Sequence, residues 1–92
     1  LISFGAEEQL SVGSAAYVRA HRDEIAARGC CMYNLDSFGS HLGWLQLYLT
    51  AHPDLEASFR PDFHAADLRY QVITSVVPYA DHFPFIAAGI PG

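Results

Sequence analysis

Five side chains in this sequence could do acid–base or metal chemistry: the adjacent pair Glu7–Glu8, the single Asp36, and the adjacent pair Asp81–His82. Carboxylate oxygens and an imidazole nitrogen suit zinc, which takes such donors at roughly 2.0–2.2 Å. Four acids on one rim would repel one another unless a divalent cation neutralised them. Two neighbouring glutamates at a helix start point in different directions. One can therefore bind a metal while the other acts as the base that takes a proton from water.

Each piece also has a plainer reading. Two glutamates ahead of a helix stabilise the positive end of its dipole, worth roughly 0.3–1 kcal/mol. An Asp after a strand serves as a turn or cap residue, and a His before a helix can simply be solvated or hydrogen-bonded. His21 reads as a half-buried packing residue on the inner face of its helix, and His41, His52 and His64 read as surface. The wide separations of Glu8, Asp36 and His82 form no local ligand motif of the Cys-x-x-Cys or His-Glu-x-x-His type. The residue types alone leave both readings open.

The elements that must position these groups follow from periodicity. Residues 1–4 read as the tail of a strand. Residues 11–28 read as a helix, with Ser14, Val18, His21 and Ile25 on one face and Gly29 as its stop. The apolar run 30–35, Cys-Cys-Met-Tyr-Asn-Leu, reads as a buried strand. Residues 44–50 alternate as a second strand, and Pro53 opens a helix through about Arg60. Residues 70–77 are β-branched and strand-like. Residues 81–89 read as a helix with Pro84 in its first turn and Gly89 at its exit. The order β-α-β-β-α-β-α with short connections predicts an α/β fold with a largely parallel sheet. Ligands of such sheets bind beyond the carboxyl ends of the strands. Three of those ends deliver Glu7–Glu8, Asp36 and Asp81–His82, so one shared rim is the expectation.

Bulk properties narrow the function. The chain has 92 residues and a net charge of −5, and all five basic residues are Arg. That balance lacks the basic patch a nucleic-acid surface needs. Half the residues are apolar, as in a globular chain rather than a disordered one. No run approaches the roughly 18 apolar residues of a membrane span. Cys30 and Cys31 are adjacent, which disfavours a bridge between them, and they read as small buried hydrophobes. Four strands and three short helices cover a sheet thinly, since a domain of this size buries only ~60–65% of its surface. We therefore expect an internal piece of a longer domain.

Three stretches carry a family resemblance. Residues 4–18, Phe-Gly-Ala-Glu-Glu-Gln-Leu-Ser-Val-Gly-Ser-Ala-Ala-Tyr-Val, resemble the Glu-Glu segment of the M28 family of zinc peptidases, which includes aminopeptidases and related carboxypeptidases. Residues 34–39, Asn-Leu-Asp-Ser-Phe-Gly, resemble its Asn-Leu-Asp segment. Residues 79–92 resemble its Ser-Asp-His-x-Pro-Phe…Gly-Ile-Pro segment, with Ala80 where the family usually has Ser. The motifs occur in family order and span nearly the whole chain. The resemblance implies a three-layer α/β/α fold, with residues 1–92 forming part of a single zinc-peptidase catalytic domain. It implies a zinc-dependent exopeptidase with a pair of zinc ions about 3.5–4 Å apart and a peptide substrate. Matched position by position, Glu7 is the general base, Glu8, Asp36 and His82 are metal ligands, and Asp81 is a neighbour supporting the site. The family's upstream His-x-Asp segment supplies the remaining ligands, and this chain does not contain it. The 92 residues alone are therefore expected to bind zinc weakly and hydrolyse little. By the same resemblance the setting is secreted or envelope-associated.

Two rivals share the fold. Glutaminyl cyclases have an acidic segment, an Asp and an Asp-His-x-Pro-Phe segment, but use a single zinc for acyl transfer within a peptide. Other members have lost metal ligands and serve as receptor or structural domains. The helix entry over residues 9–18, Gln-Leu-Ser-Val-Gly-Ser-Ala-Ala-Tyr-Val, resembles the peptidases more than the cyclases, and the presence of Glu7, Glu8, Asp36 and His82 argues against the receptor or structural reading.

Overall fold

Among the described residues the main elements are two helices, a short parallel sheet with a crossover helix, and a final helix. The structure is a computed structural model that describes residues 1–36, 45–50 and 52–92. The fold is α/β, and it divides into two units. Leu1–Asn34 joins Val77–Gly92 in the first, and Leu35–Val76 forms the second.

The first unit holds α1 (Val12–Ala20) and α2 (Arg22–Arg28), which meet at His21. The expected helix over 11–28 is present but breaks there, because His21 takes a non-helical φ of −113°. Its inner face is partly as the spacing predicts: Ser14 and Val18 are buried and Ile25 is half-buried, but His21, expected half-buried, is exposed, its Nδ1 3.5 Å from Glu24 Oε2 at the break between the helices. His21 stacks on Tyr17 with ring centroids 4.3 Å apart, four residues being one helical turn. Gly29 ends α2 in an extended conformation rather than a left-handed one. A Cβ there would lie 2.6 Å from the Ile25 carbonyl oxygen and 2.8 Å from Ile90 Cδ1, so close approach rather than turn geometry requires glycine.

The final helix of this unit, Phe83–Ala87, has Pro84 in its first turn, where a missing N–H costs nothing. It ends as its sequence predicts. Gly89 sits at φ +90°, its N–H donates to Ile86 O (2.9 Å), and the Ile90 N–H reaches back to Phe85 O (3.0 Å). That pair of bonds is a Schellman cap, and it folds Ile90 onto Phe85. Phe85 and Ile90 with Val18 form the core, with Phe4, Tyr17, Ile25 and Met32 packed against it.

The second unit is a β-α-β crossover. Strand β1 (Leu45–Tyr48) pairs in parallel with β2 (Tyr70–Ile73), Leu45 opposite Tyr70 and Tyr48 opposite Ile73. Alternate residues of β1 are half-buried and exposed, as its sequence pattern predicts. Between the strands, Pro53–Leu55 makes one 3-10 turn and Glu56–Ala65 continues as α3. We label the helix Phe83–Ala87 α4. Helix α3 runs past the expected end at Arg60 and carries Pro61 inside it. An interior proline normally costs about 3 kcal/mol, so this helix is held by its surroundings rather than by propensity.

Two expected strands are absent. Among the described residues, 1–4 and 30–35 have no strand partner, and the Met32 N–H donates to Pro91 O (2.8 Å). An apolar run becomes a strand only when a neighbour pairs its N–H and C=O groups. Here Phe4 and Met32 use their side chains against the core instead. Cys30 is exposed rather than buried, Cys31 is half-buried, and both are free thiols. Residues 37–39 of the Asn-Leu-Asp segment, His41 and Trp44 lie outside the described residues.

Candidate functional site

Glu7 and Glu8 do not open α1, whose first turn has no acidic residue. They lie in a separate 3-10 turn, Glu7–Gln9, so support of the α1 dipole is not their role. Three left-handed residues bracket that turn: Ala6 at φ 59°, Leu10 at φ 61° and Ser11 at φ 55°. Each costs a non-glycine residue roughly 1–2 kcal/mol. Backbone bonds hold the bend, from Ser11 N–H to Glu7 O (2.8 Å) and from Gln9 and Val12 N–H to Ala6 O (3.3 Å each). The bend brings Gly13 so close to Gly5 that a Cβ on Gly13 would collide with the Gly5 carbonyl oxygen. Within the turn the two glutamates differ: Glu7 is half-buried and Glu8 is exposed.

Asp81 and His82 sit at the opposite end of the chain, at the entrance to α4, each only 8% exposed. The His82 carbonyl accepts from the Phe85 and Ile86 N–H groups (3.1 and 3.2 Å), which sets the start of the helix. Asp81 Oδ1 is buried with no hydrogen-bond partner among the described residues. A buried carboxylate oxygen in that condition is costly unless a cation or donor meets it. Ala80, where the resemblance leads one to expect Ser, is buried, and its carbonyl accepts from the Phe83 N–H (3.0 Å).

A long-range hydrogen bond joins these two stretches. Ser11 Oγ donates to the Tyr79 carbonyl at 2.9 Å. Ser11 stands where a helix N-cap would, but its side chain makes no capping bond to α1. A serine just ahead of a helix is an ordinary cap residue, and no local signal marks the long-range partner. The first unit therefore brings together the Glu7–Glu8 and Asp81–His82 segments. Asp36 is exposed and falls in the second unit. The strand ends expected to carry Glu7 and Asp36 are not strands, so the single-rim argument does not describe how these residues are placed.

The second unit holds a polar cluster that the sequence reading did not single out. Glu56 accepts a two-pronged contact from Arg60 (2.8 and 3.3 Å) and a hydrogen bond from the Tyr70 hydroxyl (2.9 Å). These donors, Arg60 first, hold the Glu56 carboxyl below the ordinary glutamate range. The i, i+4 spacing of Glu56 and Arg60 was visible in the sequence; the strand residue Tyr70 was not. The cluster borders an open cavity of about 640 Å³ that His64 and Arg69 also line.

The model of peptidase family M28 matches residues 1–92, the whole chain. The chain belongs to peptidase family M28. No curated protein and no solved structure matches it. M28 membership places the chain in a family of peptidase-type hydrolases, whose substrates are peptides. Among the described residues no helix is long and apolar enough to cross a membrane.

M28 peptidases are generally zinc-dependent. The donor types at Glu8, Asp36, Asp81 and His82 fit zinc chemically, and the orphaned Asp81 oxygen fits a nearby cation or donor. No group of three His, Cys, Asp or Glu side chains that could hold a metal comes together among the described residues. The described part of this M28 chain thus offers donors of the right kind without closing a metal centre by itself.

Proposed function

We propose that residues 1–92 form part of the catalytic domain of a zinc-dependent exopeptidase. The observation that carries this is the whole-chain M28 match, with Glu7–Glu8, Asp36 and Asp81–His82 each lying in a segment that resembles the family's own. Glu8, Asp36 and His82 would hold zinc, which polarises the scissile carbonyl when bound. Glu7 takes a proton from the attacking water and passes it to the leaving amine. Its half-buried position, against the exposed Glu8, supports different jobs for the two neighbours. Asp81 supports the site from beside His82. Two zinc ions are expected in the full-length protein.

In the full-length protein, Glu7→Gln keeps its zinc and loses turnover of unblocked peptides by about 10²–10⁴-fold. Turnover equal to the parent's overturns the assignment of the base. His82→Ala lowers the zinc content per chain, measured by elemental analysis; unchanged zinc removes His82 from the ligand set. Blocking the peptide at either end separates amino- from carboxypeptidase action. Pyroglutamate formation in place of amino acid release would assign the chain to the cyclase reading.

A further inference from the structure

Ser11 is 2% exposed and makes hydrogen bonds in three directions. Its N–H donates to the Glu7 carbonyl (2.8 Å), and its hydroxyl donates to the Tyr79 carbonyl (2.9 Å). Its own carbonyl accepts from the Ala15 N–H and the Ser14 hydroxyl, both at 3.0 Å. The Ser11 side chain therefore ties the turn that carries Glu7 to the stretch that carries Asp81 and His82, with α1 as the rigid support. Ser11 holds this place in a left-handed backbone conformation that disfavours every residue except Gly, Asn and Asp. The cap bond that a serine ordinarily makes at this point is absent. A helix-capping role does not account for the hydroxyl, and a backbone preference alone would be met better by glycine.

We infer that Ser11 is a positioning residue, whose hydroxyl fixes the Glu7 turn in register with the Asp81–His82 segment. The inference rests on the reading of Glu7 as the base and His82 as a ligand. A base must be held close to the atom whose proton it takes, and a displacement of about 1 Å can cost on the order of 10²-fold in rate. The hydroxyl bonds directly to the backbone of the 77–92 stretch, two residues ahead of Asp81. Removing it leaves the fold's core residues in place and takes away a direct bond between the turn and that stretch.

The test uses the full-length protein, a leucyl dipeptide with both termini free, and three variants. Ser11→Ala removes the hydroxyl. Ser11→Gly also removes it but relieves the left-handed strain. Ser14→Ala removes an equally buried hydroxyl of the same unit while the Ala15 N–H still satisfies the Ser11 carbonyl. Both Ser11 variants should lower kcat about tenfold or more with KM within about twofold and zinc per chain unchanged. Both should also raise deuterium uptake in residues 6–12 and 77–83 together, whereas Ser14→Ala keeps the parent's kcat and uptake. Parent-like kcat in Ser11→Gly overturns the proposal, as does faster uptake confined to residues 6–12. Loss of zinc in proportion to rate assigns Ser11 a purely structural role and also overturns it. Failure of the underlying reading shows separately, as full turnover in Glu7→Gln.

Discussion

Leu10 leaves its side chain 81% exposed, yet its backbone sits at φ 61°, a conformation that costs a β-carbon roughly 1–2 kcal/mol. Little packing compensates for this. Leu10→Gly should therefore raise stability by about 0.5–1 kcal/mol, the relief of strain being partly offset by a freer unfolded chain. Thermal unfolding of the variant beside its parent measures this, and a lowered melting temperature would show that the side chain contributes contacts worth more than the strain. Strain of this kind, three left-handed residues around a pair of glutamates, accords with a turn held for function. At this scale the sequence was informative about types and poor about conformation. Glu7, Glu8, Asp36, Asp81 and His82 could be singled out by their chemistry. The left-handed turn could not, because Ala6, Leu10 and Ser11 carry no glycine signal. Ser11 was hidden for a related reason: a serine ahead of a helix reads as a cap, and its true acceptor lies far along the chain.

Helix α3 and strand β2 are joined by the Glu56 carboxylate, which accepts from Arg60 on its own helix and from Tyr70 on the strand. The folded state binds the ionised carboxyl, so the Glu56 pKa is lowered from its ordinary value of 4.5. Its contribution to stability is present above that value and is lost as the pH falls below it. Arg60→Ala should destabilise the protein at neutral pH and converge with its parent well below 4.5, as followed by denaturant unfolding across pH. A difference independent of pH would mean that the Arg60 stem, not its charge, is what matters. Elements were legible where periodicity was long or chemistry local. The α1–α2 stretch, the alternation of β1 and the Pro84–Gly89 ends of α4 all followed from spacing and cap residues. The runs 1–4 and 30–35 failed as strands, and Leu1, Ile2, Tyr33 and Leu35 in them are exposed, because both burial and pairing depend on neighbours that a sequence window does not contain. Helix α3 outran its expected end because context overrode the signal of Pro61.

At the scale of the whole molecule, the core of the first unit depends on α1 and α4 meeting through Val18, Phe85 and Ile90. Phe85→Ala removes the largest of these and should cost about 3–5 kcal/mol, a large share of a typical domain's stability. Hydrogen exchange should then show protection lost across 1–34 and 77–92 while the paired strands Leu45–Tyr48 and Tyr70–Ile73 keep theirs. Loss of protection everywhere at once would mean that the two units unfold as one. The first unit is discontinuous in the chain, and this sets a timetable during synthesis. The ribosome releases α1 well before α4, and the tie from Ser11 to Tyr79 spans 68 residues. At about 5–20 residues per second, Ser11 waits about 3–14 seconds for its acceptor to be made. Leu35–Val76 can complete its strand pairing in that interval, while Val18 still lacks Phe85. The segment bearing Glu7 thus leaves the ribosome well before the stretch that fixes its place exists.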